Sequence, residues 1–335
     1  LGIKVGLATA DRREDVMAAP IIVGTHALLY DKVDFDDLGL IVIDEQHKFG
    51  VAQRGKLIRR GVMPDVLVMT ATPIPRTLTL TIYGDLDVSI LDELPAGRGK
   101  IISGVRVKPK ITELTNFIIG QLEKGRQAYL VYPLVNESKS VKAGSAVEEH
   151  LKWQKRFKHF EVGLLHGKIP SEEKEAVMTR FRDGKTEVLV STTVIEVGVD
   201  VPNANVMVIF NAERFGLAQL HQLRGRIGRG EHKSYCVLVT DGKNSEALEK
   251  LNILAGTVDG FKIAEEDLRL RGPGEVLGTL QSGTGCLRFV EFLSDTSIIR
   301  EVREVAEELL RNDPSLKKNV HLKAWLLGQA EGTNQ

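Results

Sequence analysis

Two carboxylates and two guanidiniums are the first residues in this chain whose types and spacing suggest chemistry. Asp44 and Glu45 close the apolar run Leu40-Ile-Val-Ile, and Arg226 and Arg229 stand three apart in Gln219-Leu-His-Gln-Leu-Arg-Gly-Arg-Ile-Gly-Arg-Gly230. A triphosphate undergoing cleavage spreads negative charge over its γ-phosphoryl oxygens, and arginines delivered to that point stabilise it. Spaced by three, Arg226 and Arg229 share one face if the segment is helical and can converge on one phosphate. Gly225 and Gly228 keep side-chain bulk out of a crowded cleft. Of the carboxylates, Asp44 can hold a divalent cation through its water shell, and Glu45 can position and polarise an attacking water. Each pair also has an ordinary reading, a solvated basic helix end for the arginines and a solvated strand end for the acids.

Such groups need a frame to hold them. The β-branched run ending at Asp44 reads as a buried parallel strand that delivers its carboxylates to the sheet's carboxyl edge, where α/β ligand sites lie. The pattern recurs. Val66-Leu-Val-Met leads into Thr70-Ala71-Thr72, and Ile21–Val23 into Gly24-Thr25-His26, small and hydroxyl-bearing residues suited to a phosphate backbone. Val188-Leu-Val-Ser-Thr-Thr193 reads as another buried strand and runs on to Asp200, while Leu164-Leu165-His166-Gly167 closes one more. Strands near 4–8, 21–25, 40–44 and 66–70 are expected to form one incomplete parallel sheet. A second set lies near 101–107, 128–132, 162–165, 188–192, 206–210 and 234–239.

Helical patterns alternate with the second set of strands. Residues 111–124 carry Leu114, Phe117, Ile118 and Leu122 on one stripe. Pro170-Ser-Glu-Glu-Lys opens a helix with acids in its first turn, and Gly184 ends it. Alternation of this kind means α/β lobes with doubly wound parallel sheets. Leu94-Pro-Ala-Gly-Arg-Gly-Lys100 reads as a linker and hinge. Beyond about residue 244 the strand signal stops, leaving a mainly helical extension with a charged helix near 297–311. The basic-aromatic run 152–160 resembles a nucleic-acid patch, but Trp153, Phe157 and Phe160 at spacings of four and three are expected to anchor an amphipathic helix instead.

The 335 residues suffice for two to three domains, and 42% apolar with 27% charged residues is an ordinary soluble composition. No run approaches the ~18–20 apolar residues of a membrane span, and no signal-peptide pattern opens the chain. Cys236 and Cys286 are too few for a disulfide framework or zinc site and read as reduced thiols. Forty-five basic residues balance 45 acidic ones, so any nucleic-acid contact must use a local basic track rather than net charge.

Taken together, the motifs resemble the superfamily 2 nucleic-acid motors. Gln222, Gly225, Arg226, Gly228 and Arg229 spell Q-x-x-G-R-x-G-R, and Asp44, Glu45, Gln46 and His47 spell the Walker B element D-E-x-H. Thr70, Ala71 and Thr72 match the S/T-A-T coupling motif. The resemblance sharpens over nearly the whole chain to the RecG family of bacterial fork-remodelling helicases. It rests on Asp44-Glu-Gln-His-Lys-Phe-Gly-Val-Ala-Gln-Arg54, Met69-Thr-Ala-Thr-Pro-Ile-Pro-Arg76, Ser191-Thr-Thr-Val-Ile-Glu-Val-Gly-Val-Asp-Val-Pro-Asn203 and Phe215-Gly-Leu-Ala-Gln-Leu-His-Gln222. The transcription–repair coupling translocase Mfd shares part of these. Its chains typically carry a second acid after D-E and an asparagine-bearing E-x-G-x-D segment, where this chain has Gln46-His47 and Thr-Thr-Val-Ile-Glu-Val-Gly.

The resemblance implies RecA-like lobes: residues 1–96 as part of a first helicase lobe, 97–243 as a complete second lobe, and 244–335 as a translocation hairpin with a helical end. It implies ATP and Mg²⁺ as cofactors, the cation at Asp44, with Gln46 and His47 relaying nucleotide state. Gly198 and Asp200 approach the nucleotide. Gly24, Thr25, His26, Thr70, Ala71, Thr72, His166, Gly167, Thr193 and Glu196 serve DNA contact or coupling. Lys250, Arg271 and Gln281 fall on the polar positions of the hairpin, Lys250 where arginine is more usual and Leu280 where arginine is common.

The implied partners are branched double-stranded DNA, meaning replication forks and Holliday junctions, and single-stranded DNA-binding protein. The protein is implied to be a cytoplasmic, nucleoid-associated monomer without membrane contact. The sequence contains no G-x-x-x-x-G-K-[S/T], the loop that cradles a triphosphate, and the stretch from Ala8 to Pro20 is short for the family. The expectation is therefore a fragment, inactive alone. An Mfd-like translocase, an RNA motor and a non-catalytic DNA- or partner-binding module are the alternatives.

Overall fold

The four apolar runs nearest the start of the chain form strands, but not one sheet. In this computed structural model the described residues are 2–9, 12–16, 19–25, 28, 38–45, 64–71, 87–91, 93, 95, 97–133, 141–192, 200–271 and 296–332. The chain divides into two units, Leu1–Thr72 and Pro73–Gln335. In the first, β1 (Val5–Ala8) pairs antiparallel with the two-residue β2 (Arg13–Glu14) and parallel with β3 (Ile21–Gly24). Separately, β4 (Leu40–Ile43) pairs in parallel with β5 (Asp65–Val68), Leu40 opposite Asp65 and Ile43 opposite Val68. The expected single parallel sheet is thus two sheets among the described residues, with one antiparallel pair. Among the described residues β1 is the central strand of its sheet, and β4 and β5 pair only with each other.

The expectation that the strand before Asp44 is buried on both faces also fails. Ile41 and Ile43 are 7% and 3% exposed, but Leu40 and Val42 are 58% and 52% exposed. Side chains alternate across a strand, so one apolar face of β4 is covered and the other is open. Val5, Val23 and Leu67 repeat the pattern on β1, β3 and β5.

The second unit contrasts with this. After β6 (Ile101–Val107) come α1 (Ile111–Leu122), β7 (Gln127–Val131), α2 (Val141–Arg156), β8 (Val162–Leu165), α3 (Ser171–Arg182), β9 (Val188–Ser191) and β10 (Ala204–Ile209). A 3₁₀ turn (Ala212–Arg214), α4 (Leu217–Arg224) and β11 (Ser234–Thr240) complete the lobe. The six strands form an all-parallel sheet in the order β6-β11-β10-β7-β9-β8. Every position of β7, β9 and β10 is buried, as expected of strands covered on both faces. On β7, Ala128 and Leu130 join a core with Leu114, Ile118, Trp153 and Phe157, while Tyr129 and Val131 join another with Phe181, Leu220, Leu223 and Leu251. The sheet is doubly wound.

Local signals explain the helix ends. Pro170 caps α3, Glu172 and Glu173 lie in its first turn, and Gly184 follows it at φ +72°, a left-handed value that glycine adopts freely. The aromatic stripe departs from expectation in one respect: α2 ends at Arg156, so Phe157 and Phe160 lie just beyond it. Trp153 and Phe157 still stack at 5.2 Å in the core, and the Trp153 indole donates to the Tyr132 hydroxyl at 2.7 Å. Burial, not nucleic acid, accounts for these rings. Cys236 is a buried free thiol, its pKa pushed up to about 12 by desolvation.

Past the sheet, α5 (Ser245–Gly256) and α6 (Gly260–Arg271) form a helical hairpin packed on α4, and α7 (Thr296–Asn312) and α8 (Val320–Gly332) follow. Asn244 caps α5 by accepting from the Ala247 amide at 3.1 Å. Asp313 holds the α7–α8 turn by accepting from the amides of Lys317 and Lys318, both at 2.8 Å. The mainly helical extension is as expected. No described helix is long and apolar enough to cross a membrane.

Candidate functional site

The arginine-bearing segment is a loop, not a helix. Helix α4 stops at Arg224 because Gly225 caps it and Gly228 takes φ +74°, where a Cβ would also stand 2.6 Å from the Ile101 side chain. The expected helical face shared by Arg226 and Arg229 is therefore replaced by a tight turn, with Ile227 between them buried as its anchor. Arg229 is held on this turn by its own contacts. Arg229 Nη1 lies 3.4 Å from Asp200 Oδ1, and its Nε donates to the Gly225 carbonyl at 3.3 Å. Asp200 was expected near a nucleotide on the strength of its motif, and here it orients Arg229.

Tyr129, in the middle of β7, feels the charges of this group. Its ring is 1% exposed and packs on Phe181 at 4.9 Å. Burial pushes its hydroxyl pKa up, the charges of Arg226 and Arg229 pull it down, and Asp200 pushes it up. One phenol thus feels all three charged groups.

The carboxylates belong to the first unit. Asp44 and Glu45 follow β4, and Thr70 and Ala71 follow β5. The Met69 amide donates to the Ile43 carbonyl at 2.8 Å, which carries the parallel register on toward those residues. Glu45 has φ +52°, a strained value for a residue with a Cβ, and its amide donates to Asp44 Oδ1 at 2.9 Å. The turn re-aims Glu45 away from the strand's alternation. Among the described residues no group of three or more His, Cys, Asp or Glu could hold a metal ion. Two adjacent carboxylates nevertheless suit Mg²⁺, which keeps most of its waters and takes the rest of its ligands from phosphates. Gly24 ends β3 where a Cβ would collide with the Ala8 carbonyl, and the Thr25 amide donates to that carbonyl at 3.0 Å.

At the carboxyl edge of the six-stranded sheet, His166 and Gly167 follow β8, and the Thr192 amide donates to the Leu165 carbonyl at 3.1 Å. His166 Nδ1 and Thr192 Oγ1 are buried without a hydrogen-bond partner among the described residues. Desolvation, then Lys168 and Lys174, lower the His166 pKa. The Lys174 ammonium donates to the Gly167 carbonyl at 3.0 Å. Gln46, His47, His26, Thr72, Thr193, Glu196, Gly198 and Gln281 lie outside the described residues. Arg271 is described only as the last residue of α6.

Three family models match: DEAD/DEAH box helicase over residues 2–81, helicase conserved C-terminal domain over 109–231, and ATP-dependent DNA helicase RecG, domain 3, C-terminal, over 257–327. The ATP-dependent DNA helicase RecG of Synechocystis sp. is 52% identical over 96% of this chain. The chain belongs to the RecG family over the part it spans. RecG of Aquifex aeolicus is 50% identical over 92% of the chain, and both alignments cover 40% of the relative. A solved RecG bound to a three-way DNA junction superposes with a TM-score of 0.69 at 41% identity, over 90% of this chain and 40% of that one. The chain therefore spans well under two thirds of these RecG proteins.

Within the RecG frame, the structure reveals two groups that sequence reading missed. Tyr129 gave no signal, being one more apolar position of a buried strand. Arg224 was hidden among the neighbouring arginines, yet it is 2% exposed. Its Nη1 donates to the carbonyls of Leu254 and Thr257 at 2.7 and 2.6 Å, and its Nη2 lies 3.0 Å from His221 Nδ1. Lys250 lies on α5, and its ammonium donates to the carbonyls of Glu213 and Phe215 at 3.0 and 2.6 Å.

His221 gives the cluster a pH signature. Desolvation first, then the Arg224 cation, lower its pKa from 6.5 to about 4, with Asp259 opposing. The folded state keeps His221 neutral where the unfolded chain takes up a proton. The stabilisation is therefore present above pH 6.5 and fades as pH falls toward 4. Stability is expected to drop by about 2 kcal/mol between pH 7 and pH 5. His221→Gln should flatten that dependence in urea titrations at the two pH values; an equal slope in both proteins would refute the assignment.

Proposed function

We propose that the parent protein is an ATP-driven double-stranded DNA translocase and helicase of RecG type. In this reading it remodels stalled replication forks and branch-migrates Holliday junctions in recombination and repair. The observation that carries the proposal is Arg229, braced by Asp200, on a loop continuous with the helix that the α5–α6 hairpin packs against. A candidate arginine site for γ-phosphoryl charge and the helical hairpin therefore share one support.

Residues 1–96 would form part of a first helicase lobe, 97–243 the second lobe, and 244–335 the hairpin and helical end. Magnesium-bound ATP supplies the phosphoanhydride bond whose cleavage powers the motor. Asp44 would hold the cation through water, and Glu45 would orient the attacking water and accept its proton. Arg226 and Arg229 would stabilise γ-phosphoryl charge, and Gln222 and Gly198 would help to frame the nucleotide. Gln46, His47, Thr70, Ala71 and Thr72 would pass the nucleotide state on.

Gly24, Thr25, His26, His166, Gly167, Thr193 and Glu196 would contact the DNA backbone, a reading supported by the unsatisfied His166 Nδ1 and Thr192 Oγ1 at that edge. Lys250, Arg271 and Gln281 would couple the hairpin. The RecG relative solved on a three-way DNA junction supports branched duplex DNA as substrate. Single-stranded DNA-binding protein as recruiting partner, a monomeric state and a cytoplasmic, nucleoid-associated location complete the proposal.

ATP hydrolysis is the test. The chain should be silent with or without a synthetic fork, whereas the same chain extended upstream through a phosphate loop should show fork-stimulated turnover. Turnover by the chain alone would reveal a phosphate site that the sequence does not show. Silence from both would instead favour a non-catalytic DNA- or partner-binding module.

A further inference from the structure

Strand β6 lies at one end of the six-stranded sheet and, among the described residues, pairs only with β11. Its outer row of backbone donors and acceptors is a template for another extended chain. The segment around it is strongly charged. Between Gly97 and Lys110 stand Arg98, Lys100, Arg106, Lys108 and Lys110 with no acid, in a chain whose net charge is zero. All five are exposed. Among the described residues none of Arg98, Lys100, Arg106 and Lys108 forms an ion pair, and the bordering acids Glu113 and Asp241 lie 3.6 Å from Lys110 and Lys243.

The five cations all have even numbers, and side chains of an extended chain alternate between its faces. The odd-numbered Ile101 and Val105 pack on the core that holds Leu251 and Leu254 of α5, so the even-numbered residues of β6 face the side of α1. There a cavity of about 470 Å³ opens, its walls including Ile102, Gly104, Arg106, Glu113, Phe117 and Tyr235. Phe117 and Tyr235 meet edge to face at 5.3 Å. The Arg106 side chain lies back across Gly104, where a Cβ would stand 3.3 Å from its Nη1, and Nη1 donates to the Val105 carbonyl at 2.9 Å. The groove has an apolar middle and cations toward both ends.

We propose that β6 and this groove dock an extended acidic segment of a partner protein, added to the sheet as a further strand. Alternate residues of that segment would carry acids to Arg98, Lys100, Arg106 and Lys108, and one large apolar side chain into the cavity between them. Charge selects against other occupants. A second copy of β6 would set like charges together along the shared edge. A DNA backbone could use the cations, but it has neither a strand edge to pair with β6 nor an apolar group for Ile102, Phe117 and Tyr235. The docking surface uses none of the nucleotide chemistry proposed above.

The test uses the full-length protein carrying this segment and a labelled nine-residue peptide of alternating Glu and Thr with Phe in place of the central Glu. Fluorescence anisotropy should show saturable binding below about 1 mM that weakens with added salt. Replacing the peptide's Phe by Ala should weaken binding about tenfold, and shuffling its residues should weaken it several-fold. Arg106→Glu combined with Lys108→Glu should weaken it about tenfold, with fork affinity and thermal midpoint unchanged. Bound peptide should slow amide hydrogen exchange over residues 101–107.

No saturable binding by the wild type, equal binding of the shuffled peptide, or unslowed exchange in β6 would each overturn the proposal. So would a double variant that loses fork affinity yet binds the peptide normally, because the face would then be a DNA track. If the double variant does not fold, the peptide series and the exchange data on the wild type decide.

Discussion

Replacing Arg229 with alanine in the full-length protein is expected to abolish DNA-stimulated ATP hydrolysis while leaving fork binding intact. Arginines that stabilise γ-phosphoryl charge are worth roughly 10³–10⁵ in turnover, so a loss of about a thousandfold is the expected result. The fold should not suffer. Arg229 is partly exposed and its partner Asp200 is 56% exposed, and ion pairs of that kind contribute about 0–1 kcal/mol. The thermal midpoint should therefore move by no more than a few degrees. Arg229→Lys should recover only a small part of the rate, because an ammonium lacks the fork that can hold Asp200 and a phosphate at once. Steady-state ATPase on a synthetic fork, beside fork affinity at fixed salt, decides it. Unaltered turnover in Arg229→Ala would remove Arg229 from the site.

The sequence carried the motifs well and their local geometry less well. Hydrophobic runs located each strand of the six-stranded sheet, most plainly β7, β9 and β10, whose burial on both faces needs continuous apolar side chains, and Pro170 and Gly184 marked the ends of α3. The first unit resisted the same reading. Leu40-Ile-Val-Ile has the composition of a doubly covered strand whether or not its outer face is covered, so burial on one side only could not be read from it.

The arginine loop was misread for a different reason. A spacing of three suits a helix, and Gly225 and Gly228 read as space-makers when their larger effect is to stop α4 and turn the chain. Arg224 escaped because its partners, Leu254 and Thr257, are about thirty residues away and contribute only backbone carbonyls, which have no sequence signature. Tyr129 escaped because its ring belongs to the core and only its hydroxyl belongs to the charged cluster. Charge and packing are separable in a structure and merged in a residue type.

Glu45→Gln offers the sharpest separation of chemistry from binding. In the proposed mechanism Glu45 takes the proton of the attacking water, and a positioned general base contributes typically 10²–10⁴ in rate. Glutamine keeps the length and planarity of the side chain and removes its basicity. Its backbone requirement is also unchanged, since the left-handed φ of +52° at Glu45 costs a glutamine as much as a glutamate. The hydrogen bond from the residue 45 amide to Asp44 Oδ1 at 2.9 Å, which fixes that turn, uses only the backbone of residue 45 and survives the change. The variant is therefore expected to fold with an unaltered thermal midpoint and to bind nucleotide and forks, yet to hydrolyse ATP at least a hundredfold more slowly. Nucleotide should accumulate on the protein in its uncleaved form, detectable by rapid filtration of a γ-labelled pool. A rate within threefold of wild type would mean that another group activates the water. A variant that no longer binds nucleotide would instead move Glu45 from chemistry to binding, beside Asp44.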